Sequence, residues 1–253
     1  MVTFMAVTLG LVLLLIACLE AGRRLRMRHT ADEASSGLGV IDGAIFGLLG
    51  LLLAFAFSGA DSRYEARRQL IVTETNAIGT AWLRIDLLPA EAQPAIRQDM
   101  RSYVDARIAF YRDLNDNPAR ARQDAAATTA LQTKIWGEST AAARQSPLAS
   151  TLPLVAQSLN DMIDITTTRS VALNTHPPLA IYILLLVLAV AASLVAGYGM
   201  GDRRRRSWLH TLVYAAALTM TIYTILDLEF PRIGLVRIDR YDKVLVDQRG
   251  SMN

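Results

Sequence analysis

The sequence predicts an all-α membrane protein with four transmembrane helices and a helical-bundle extramembrane domain between the second and third of them. The 253-residue chain is 52% hydrophobic, close to a soluble protein, but its apolar residues are concentrated in four windows. A polar segment with helical periodicity separates the second window from the third. We therefore divide the chain into two transmembrane helices with an Arg-rich loop (1–60), the extramembrane bundle (61–178), two further transmembrane helices with an Arg-rich loop (179–230) and a C-terminal tail (231–253).

Each apolar window has the length of a helix that crosses a lipid bilayer, which needs about 20 apolar residues. None carries Asp, Glu, Lys or Arg in its middle. The first is aliphatic throughout, so we expect it to be a lipid-facing anchor at the edge of a helix bundle. The windows are residues 2–19, 40–60, 179–200 and 208–230.

Two arginine clusters predict how the chain crosses the membrane. Short loops rich in Arg stay in the cytoplasm, so both clusters are predicted to be cytoplasmic and the domain at 61–178 extracytoplasmic. All but two of the 26 basic residues are arginine, which is typical of a GC-rich bacterial genome and indicates the bacterial inner membrane. The clusters are Arg23, Arg24, Arg26 and Arg28, and then Arg203–Arg206.

The second window continues, without a proline before Pro89, into a charged amphipathic stretch. This predicts one helix from Leu38 to Leu88, roughly 75 Å long at about 1.5 Å per residue. Its lipid half carries a row of small residues spaced four or three apart, which lets helix backbones approach closely in lipid. The row can pack against another span of the same subunit or around a symmetry axis. Its members are Gly39, Gly43, Gly47, Gly50, Ala54 and Ser58.

The aqueous half of this helix has an apolar seam with heptad-like spacing that runs from Ile71 to Ile85. Glu74 and Asn76 lie beside the seam. Three interpretations of this pair are open. The two residues are buried polar groups that fix the register of helix packing, they line a water-filled vestibule, or they are ordinary surface residues. Three further helices are predicted over residues 95–114, 119–144 and from about 154 to 173, and alternation in the last 20 residues permits a short hairpin.

The sequence predicts no enzyme, no metal site and no cofactor. His29, His176 and His210 are scattered, and the single Cys18 lies in the first window, so no metal-ligand spacing exists. The sequence contains no G-x-S-x-G, P-loop or HExxH motif. The polar segment carries equal numbers of acidic and basic side chains, which argues against a nucleic-acid partner.

Carboxylates at the end of the fourth window are candidates for function, because such groups are costly at a membrane edge unless they are paired or face water. They are Asp227 and Glu229, with Arg232 or Arg63 as the obvious partners. A structural ion pair and an ion-attracting ring remain equal alternatives.

Three segments resemble the bestrophin-like family of bacteria and plants: SRYEARRQL at 62–70, ETNAIGTAWLR at 74–84 and DLEFPR at 227–232. The resemblance covers essentially the whole chain. It implies a four-span helical protein whose second span leads into a helical domain. It also implies kinship with bestrophins, which are pentameric chloride channels whose second spans line the pore. A homo-oligomer, specifically a pentamer, is the expectation that follows.

Two functions are consistent with these features. The first is an oligomeric ion channel with the second helix lining the axis and inorganic ions as its cargo. Arg63, Arg67 and Arg68 at the mouth would give a slight preference for anions, partly cancelled by Asp61 and Glu65. The second is a non-conducting membrane-anchored assembly or sensor whose helical domain binds a ligand or partner. The axis candidates are Asp42, Gly43, Gly47, Gly50, Ala54, Phe57, Ser58, Asp61, Arg63 and Arg67.

Overall fold

The computed structural model describes residues 2–28, 38–201 and 208–252, and within these ranges every regular element is a helix. The predicted all-α fold class is thereby confirmed. A 3₁₀ turn at Ile85–Leu87 follows the second α-helix. The α-helices are α1 (Val2–Arg28), α2 (Leu38–Arg84), α3 (Gln93–Asp113), α4 (Pro118–Ala143), α5 (Thr151–Asn174), α6 (Leu179–Gly199), α7 (Trp208–Glu229) and α8 (Lys243–Ser251).

Four helical stretches are long and apolar enough to cross a membrane, as the four windows predicted. The third of them combines α5 with α6, but its apolar part is α6. The arginine cluster Arg203–Arg206 lies outside the described residues, so the orientation across the membrane stays a prediction. The stretches are Phe4–Arg28, Gly39–Leu87, Thr151–Gly199 and Trp208–Glu229.

Helix α2 is nearly as long as the sequence predicted. It remains α-helical to Arg84 and tightens into the 3₁₀ turn before Leu88, which is extended with φ −82° and ψ 158°. Pro89 explains this ending, because the proline ring excludes the preceding residue from the helical region.

The chain forms two compact units. The first, which we call the membrane unit, consists of Met1–Tyr64 and His176–Val236. The second, the bundle unit, consists of Glu65–Thr175 and Arg237–Asn253. Each contains part of α2 and has its own core.

The core of the membrane unit includes a very close contact between α1 and α6. A Cβ atom on Gly22 would lie 2.0 Å from the carbonyl oxygen of Leu194, and one on Gly197 would lie 2.0 Å from that of Leu19. Leu15 and Leu19 are buried. The predicted helix at the edge of a bundle thus packs one side on α6 through its glycine, and leaves apolar side chains such as Leu9 and Leu13 exposed on the other side.

The core of the bundle unit is formed by α2, α3, α4, α5 and α8. The predicted seam is buried here, with Ile71, Ile78, Trp82 and Ile85 all inside. The hairpin permitted by the last 20 residues is wrong. Within this segment Lys243–Ser251 forms α8, which buries Leu245, and Met252 is buried just beyond it.

Candidate functional site

The row of small residues in the lipid half of α2 does not pack against other residues that the structure describes. A Cβ atom built on Gly43, Gly47 or Gly50 would have no described atom within 4 Å beyond its own helix, and Ala54 and Ser58 are exposed. We call Gly43, Gly47, Gly50, Ala54 and Ser58 the membrane row. The alternative in which this row packs on another span of the same subunit is wrong for the described residues, because the opposite side of α2 makes that contact.

The packed side of α2 in the membrane unit carries larger apolar groups. Leu49 is buried, and Ile45, Leu52 and Leu53 are partly buried against the same core. Asp42 is partly buried and three residues before Ile45, so it belongs to this side. Phe57, by contrast, is exposed next to Ser58.

In the bundle unit, α2 again has one exposed side, and its chemistry is unusual for a helix surface in water. Its residues from Gln69 to Leu83 recur three or four apart and none of them is charged, although the exposed Glu65 precedes them by one turn. We call these residues the bundle row. It consists of Gln69, Val72, Thr73, Asn76, Thr80 and Leu83, all exposed. Helices that face water normally carry charged residues on that side, so the row has the composition of a covered surface.

Glu74 belongs to the opposite, fully buried side of the same segment. Its Oε1 atom accepts a hydrogen bond from Nε of Arg107 at 2.6 Å, and its Oε2 atom pairs with Arg169. Arg169 also contacts Asp242 at 3.3 Å, and its guanidinium lies over the ring of Tyr111. Two carboxylates and two guanidinium groups thus balance inside the unit and connect α2, α3, α5 and the segment before α8.

This network controls the ionisation of Glu74. Burial alone would raise its pKa, but the positive charges of Arg107 and Arg169 outweigh burial and lower it. Glu74 is therefore a buried carboxylate held ionised by its partners. Asn76 is exposed in the bundle row, two residues away, so the polar cluster predicted from the sequence is divided between two sides of the helix.

Two arginines that the sequence placed among the axis candidates instead hold the fold together. Arg67 is buried and donates from Nε to the carbonyl of Ala172 at 3.0 Å and from Nη2 to that of Thr175 at 2.9 Å. Both acceptors lie at the carboxyl end of α5, where carbonyls lack helical partners. Arg67 therefore caps α5.

Arg63 pairs with Glu229 within the membrane unit. Its Nε and Nη2 atoms lie 2.8 and 2.7 Å from Oε2 of Glu229, which is 1% exposed. The other carboxylate oxygen lies 2.9 Å from Nδ1 of His176, whose ring stacks on Phe230. His176 could not be singled out from the sequence, because one histidine without a spaced partner carries no signal.

Asp227 is held by backbone groups among the described residues, whereas the sequence suggested an arginine partner. Its carboxylate accepts hydrogen bonds from the backbone N–H groups of Leu235 and Val236, at 2.9 and 3.0 Å. A Cβ atom on Gly234 would lie 1.5 Å from Oδ1, so only glycine fits there. Asp227 anchors the turn after α7, while Arg232 is buried in the same turn.

No group of three His, Cys, Asp or Glu side chains that could hold a metal occurs in the parts of the chain that the structure describes.

Comparison with known proteins agrees with this architecture. The family model of the Bestrophin-like domain matches residues 9–241. The chain belongs to the bestrophin-like family. It is a membrane protein of that family. No curated protein matches it.

Solved structures of a bacterial bestrophin homolog from Klebsiella pneumoniae share the fold. One, phased on zinc, matches with a TM-score of 0.73 at 17% identity and covers 96% of this chain and 98% of the other. A single-residue variant of that homolog matches with a TM-score of 0.74 at 15% identity and covers 98% of both chains. At such identities the likeness establishes the fold.

Proposed function

We propose that the protein is a homo-oligomeric ion channel in the bacterial inner membrane, with α2 lining the axis. The observation that carries this proposal is the bundle row. It is an exposed, uncharged helix surface, whereas helix surfaces that face water normally carry charged residues. The membrane row adds a second unpartnered surface on the same continuous helix.

A central axis accounts for both rows. Small side chains allow several copies of α2 to approach in lipid. Uncharged polar side chains such as Asn76 and Thr80 can line a water-filled passage without binding a permeating ion tightly. Five copies is the number that the resemblance to bestrophins implies. The predicted topology, with the Arg-rich loops in the cytoplasm and the bundle unit outside, is part of this proposal.

The exposed charges of α2 favour cations over anions. The expected anion preference depended on Arg63, Arg67 and Arg68, but Arg63 pairs with Glu229 and Arg67 caps α5. Arg68 contacts Glu65 at 3.0 Å. Asp61 is exposed one turn after Ser58, where it continues the membrane row. A ring of such carboxylates at a pore mouth attracts cations.

Reconstitution into liposomes tests both parts of the proposal. We expect ion flux above that of empty vesicles, with a reversal potential on the cation side in a salt gradient. Asp61→Lys should reduce the preference for cations at least several-fold, because it inverts the charge of the ring. Glu91→Gln is the matched control, since Glu91 is exposed in the turn before α3 and lies off the proposed axis.

The outcomes separate the two candidate functions. An oligomer that gives no flux under any pH or calcium condition would support the alternative, a non-conducting assembly or sensor. Ion flux with unchanged selectivity in Asp61→Lys would support the channel function and show that Asp61 does not lie at the pore mouth.

A further inference from the structure

The membrane unit contains a cavity of about 140 Å³ that none of the features above explains. Three helices form it, α2, α6 and α7, together with Pro177 at the start of the third span. Its walls are almost entirely apolar. A cavity of about 150 Å³ with such walls accommodates benzene in another protein, so this one is large enough for an aromatic ring or a short alkyl segment. The apolar side chains in its wall include Leu52, Phe55, Ile181, Leu185 and Ile225.

One end of the cavity is polar. Arg63 and Glu229 both line it, and Glu229 is almost completely buried. Nε and Nη2 of Arg63 are used by the carboxylate, whereas Nη1 lies 3.1 Å from the position of a Cβ atom on Gly59, which also lines the cavity. A guanidinium has five N–H donors, so donors remain at this wall for an oxygen acceptor.

The two charged side chains that line the cavity pair with each other. The guanidinium of Arg63 lies 2.7 Å from the carboxylate of Glu229. A ligand with its own charge would introduce an uncompensated ion into an apolar enclosure, which is strongly unfavourable. An uncharged ligand with a hydroxyl or carbonyl oxygen avoids that cost and can accept from Arg63.

The cavity is open to the apolar surface of the membrane unit. Phe55 is 67% exposed and Ile181 is 37% exposed, although both line the cavity. A ligand dissolved in the bilayer can therefore reach it without passing through water.

We propose that this cavity is a binding site for an uncharged amphiphile that carries an apolar group of about benzene size and one hydroxyl or carbonyl oxygen. The apolar group fills the space between α2, α6 and α7, and the oxygen accepts a hydrogen bond from Arg63. Two kinds of molecule offer these groups: a membrane lipid, through its ester region and the adjoining chain, or a small free alcohol. The site does not depend on ion conduction.

Photolabelling with a diazirine derivative of benzyl alcohol tests the proposal on the purified full-length protein. We expect label on the cavity segments of α2 and α6, and competition by benzyl alcohol but not by benzoate or benzylammonium. Ile181→Trp should fill the cavity and reduce this labelling at least tenfold. Ile183→Trp is the matched control, because Ile183 is exposed on the same helix two residues away and does not line the cavity.

Native mass spectrometry of the same samples separates the two sources. One retained lipid per chain, lost in Ile181→Trp but not in Ile183→Trp, would identify the lipid, and specific labelling without retained lipid would identify a free alcohol. Ala56→Phe serves as a second filling variant if Ile181→Trp does not fold. Equal labelling of filled and unfilled variants, or label spread evenly over all lipid-facing helices, would overturn the proposal, as would competition by the charged analogues equal to that by benzyl alcohol.

Discussion

The two sides of α2 differ in how they use polar groups. On the packed side, Arg63, Arg67 and Glu74 each contact a specific partner within one unit: Glu229, the end of α5, and a pair of arginines. On the exposed side, the membrane row and the bundle row consist of uncharged residues, and the exposed carboxylates of Asp61 and Glu65 lie between the two rows. Most charged groups on the packed side thus specify the fold of each unit. The two uncharged rows are left for contacts outside the chain.

The largest effect that this comparison predicts is the loss of the Glu74 carboxylate. Glu74→Ala leaves Arg107 and Arg169 buried without their anion, which costs about 3–5 kcal/mol of unfolding free energy. Glu65→Ala is the control on the same helix, since that ion pair is half-exposed and worth roughly 0–1 kcal/mol. Chemical unfolding in detergent measures both. Equal losses would show that the buried network does not hold the bundle unit together.

The second effect contrasts glycines of two kinds. Gly197→Ala forces a Cβ atom onto the backbone of α1 and should destabilise the membrane unit by about 1–3 kcal/mol or more. Gly47→Ala meets no atom of its own chain, so the isolated subunit should keep its stability or gain up to about 1 kcal/mol.

The same two glycine variants also test the role of the exposed side of α2. If the membrane row packs around an axis, Gly47→Ala should weaken the oligomer or reduce flux even though the subunit stays folded. Thermal unfolding measures the stability of the subunit, and the mass of the protein in a membrane mimic measures its oligomeric state. Normal oligomers and normal flux would contradict close packing of the membrane row.

A smaller effect is expected from acid. The pKa of Glu74 is lower in the folded chain than its ordinary value of 4.5, so protonation favours the unfolded chain. This stabilisation is complete above the ordinary value and is lost as the pH falls through the lowered one. Glu74→Gln should remove that part of the acid dependence, which sets in as the pH falls below the ordinary value of 4.5. An unchanged slope in this variant would mean that other carboxylates account for the acid sensitivity.

Periodicity and composition predicted the elements of this fold well. The four windows, the long α2 and the seam from Ile71 to Ile85 depend on spacing along one helix, which the sequence shows directly. Pro89 likewise predicted where α2 ends, because its effect is local.

Partners between helices were not predictable in this way. The regular glycines of α2 indicated close packing, yet the glycines in backbone contact are the isolated Gly22 and Gly197. A buried Glu74 demands a cation, but nothing in its own segment selects Arg107 and Arg169 from the many arginines of the chain. The sequence indicated that Asp227 needs a partner at the membrane edge. Its role as the anchor of a turn was not predictable, because it depends on Gly234, seven residues later.

The central claim is that the uncharged side of α2 lines a path for ions, and modification of one cysteine tests it most directly. In a Cys18→Ser background, Asn76→Cys places a thiol in the bundle row, and Gln123→Cys places one on the exposed surface of α4. We predict that a charged methanethiosulfonate reagent blocks most of the ion flux of Asn76→Cys in liposomes and leaves that of Gln123→Cys unchanged. Complete modification of Asn76→Cys, verified by mass, with undiminished flux would contradict the claim.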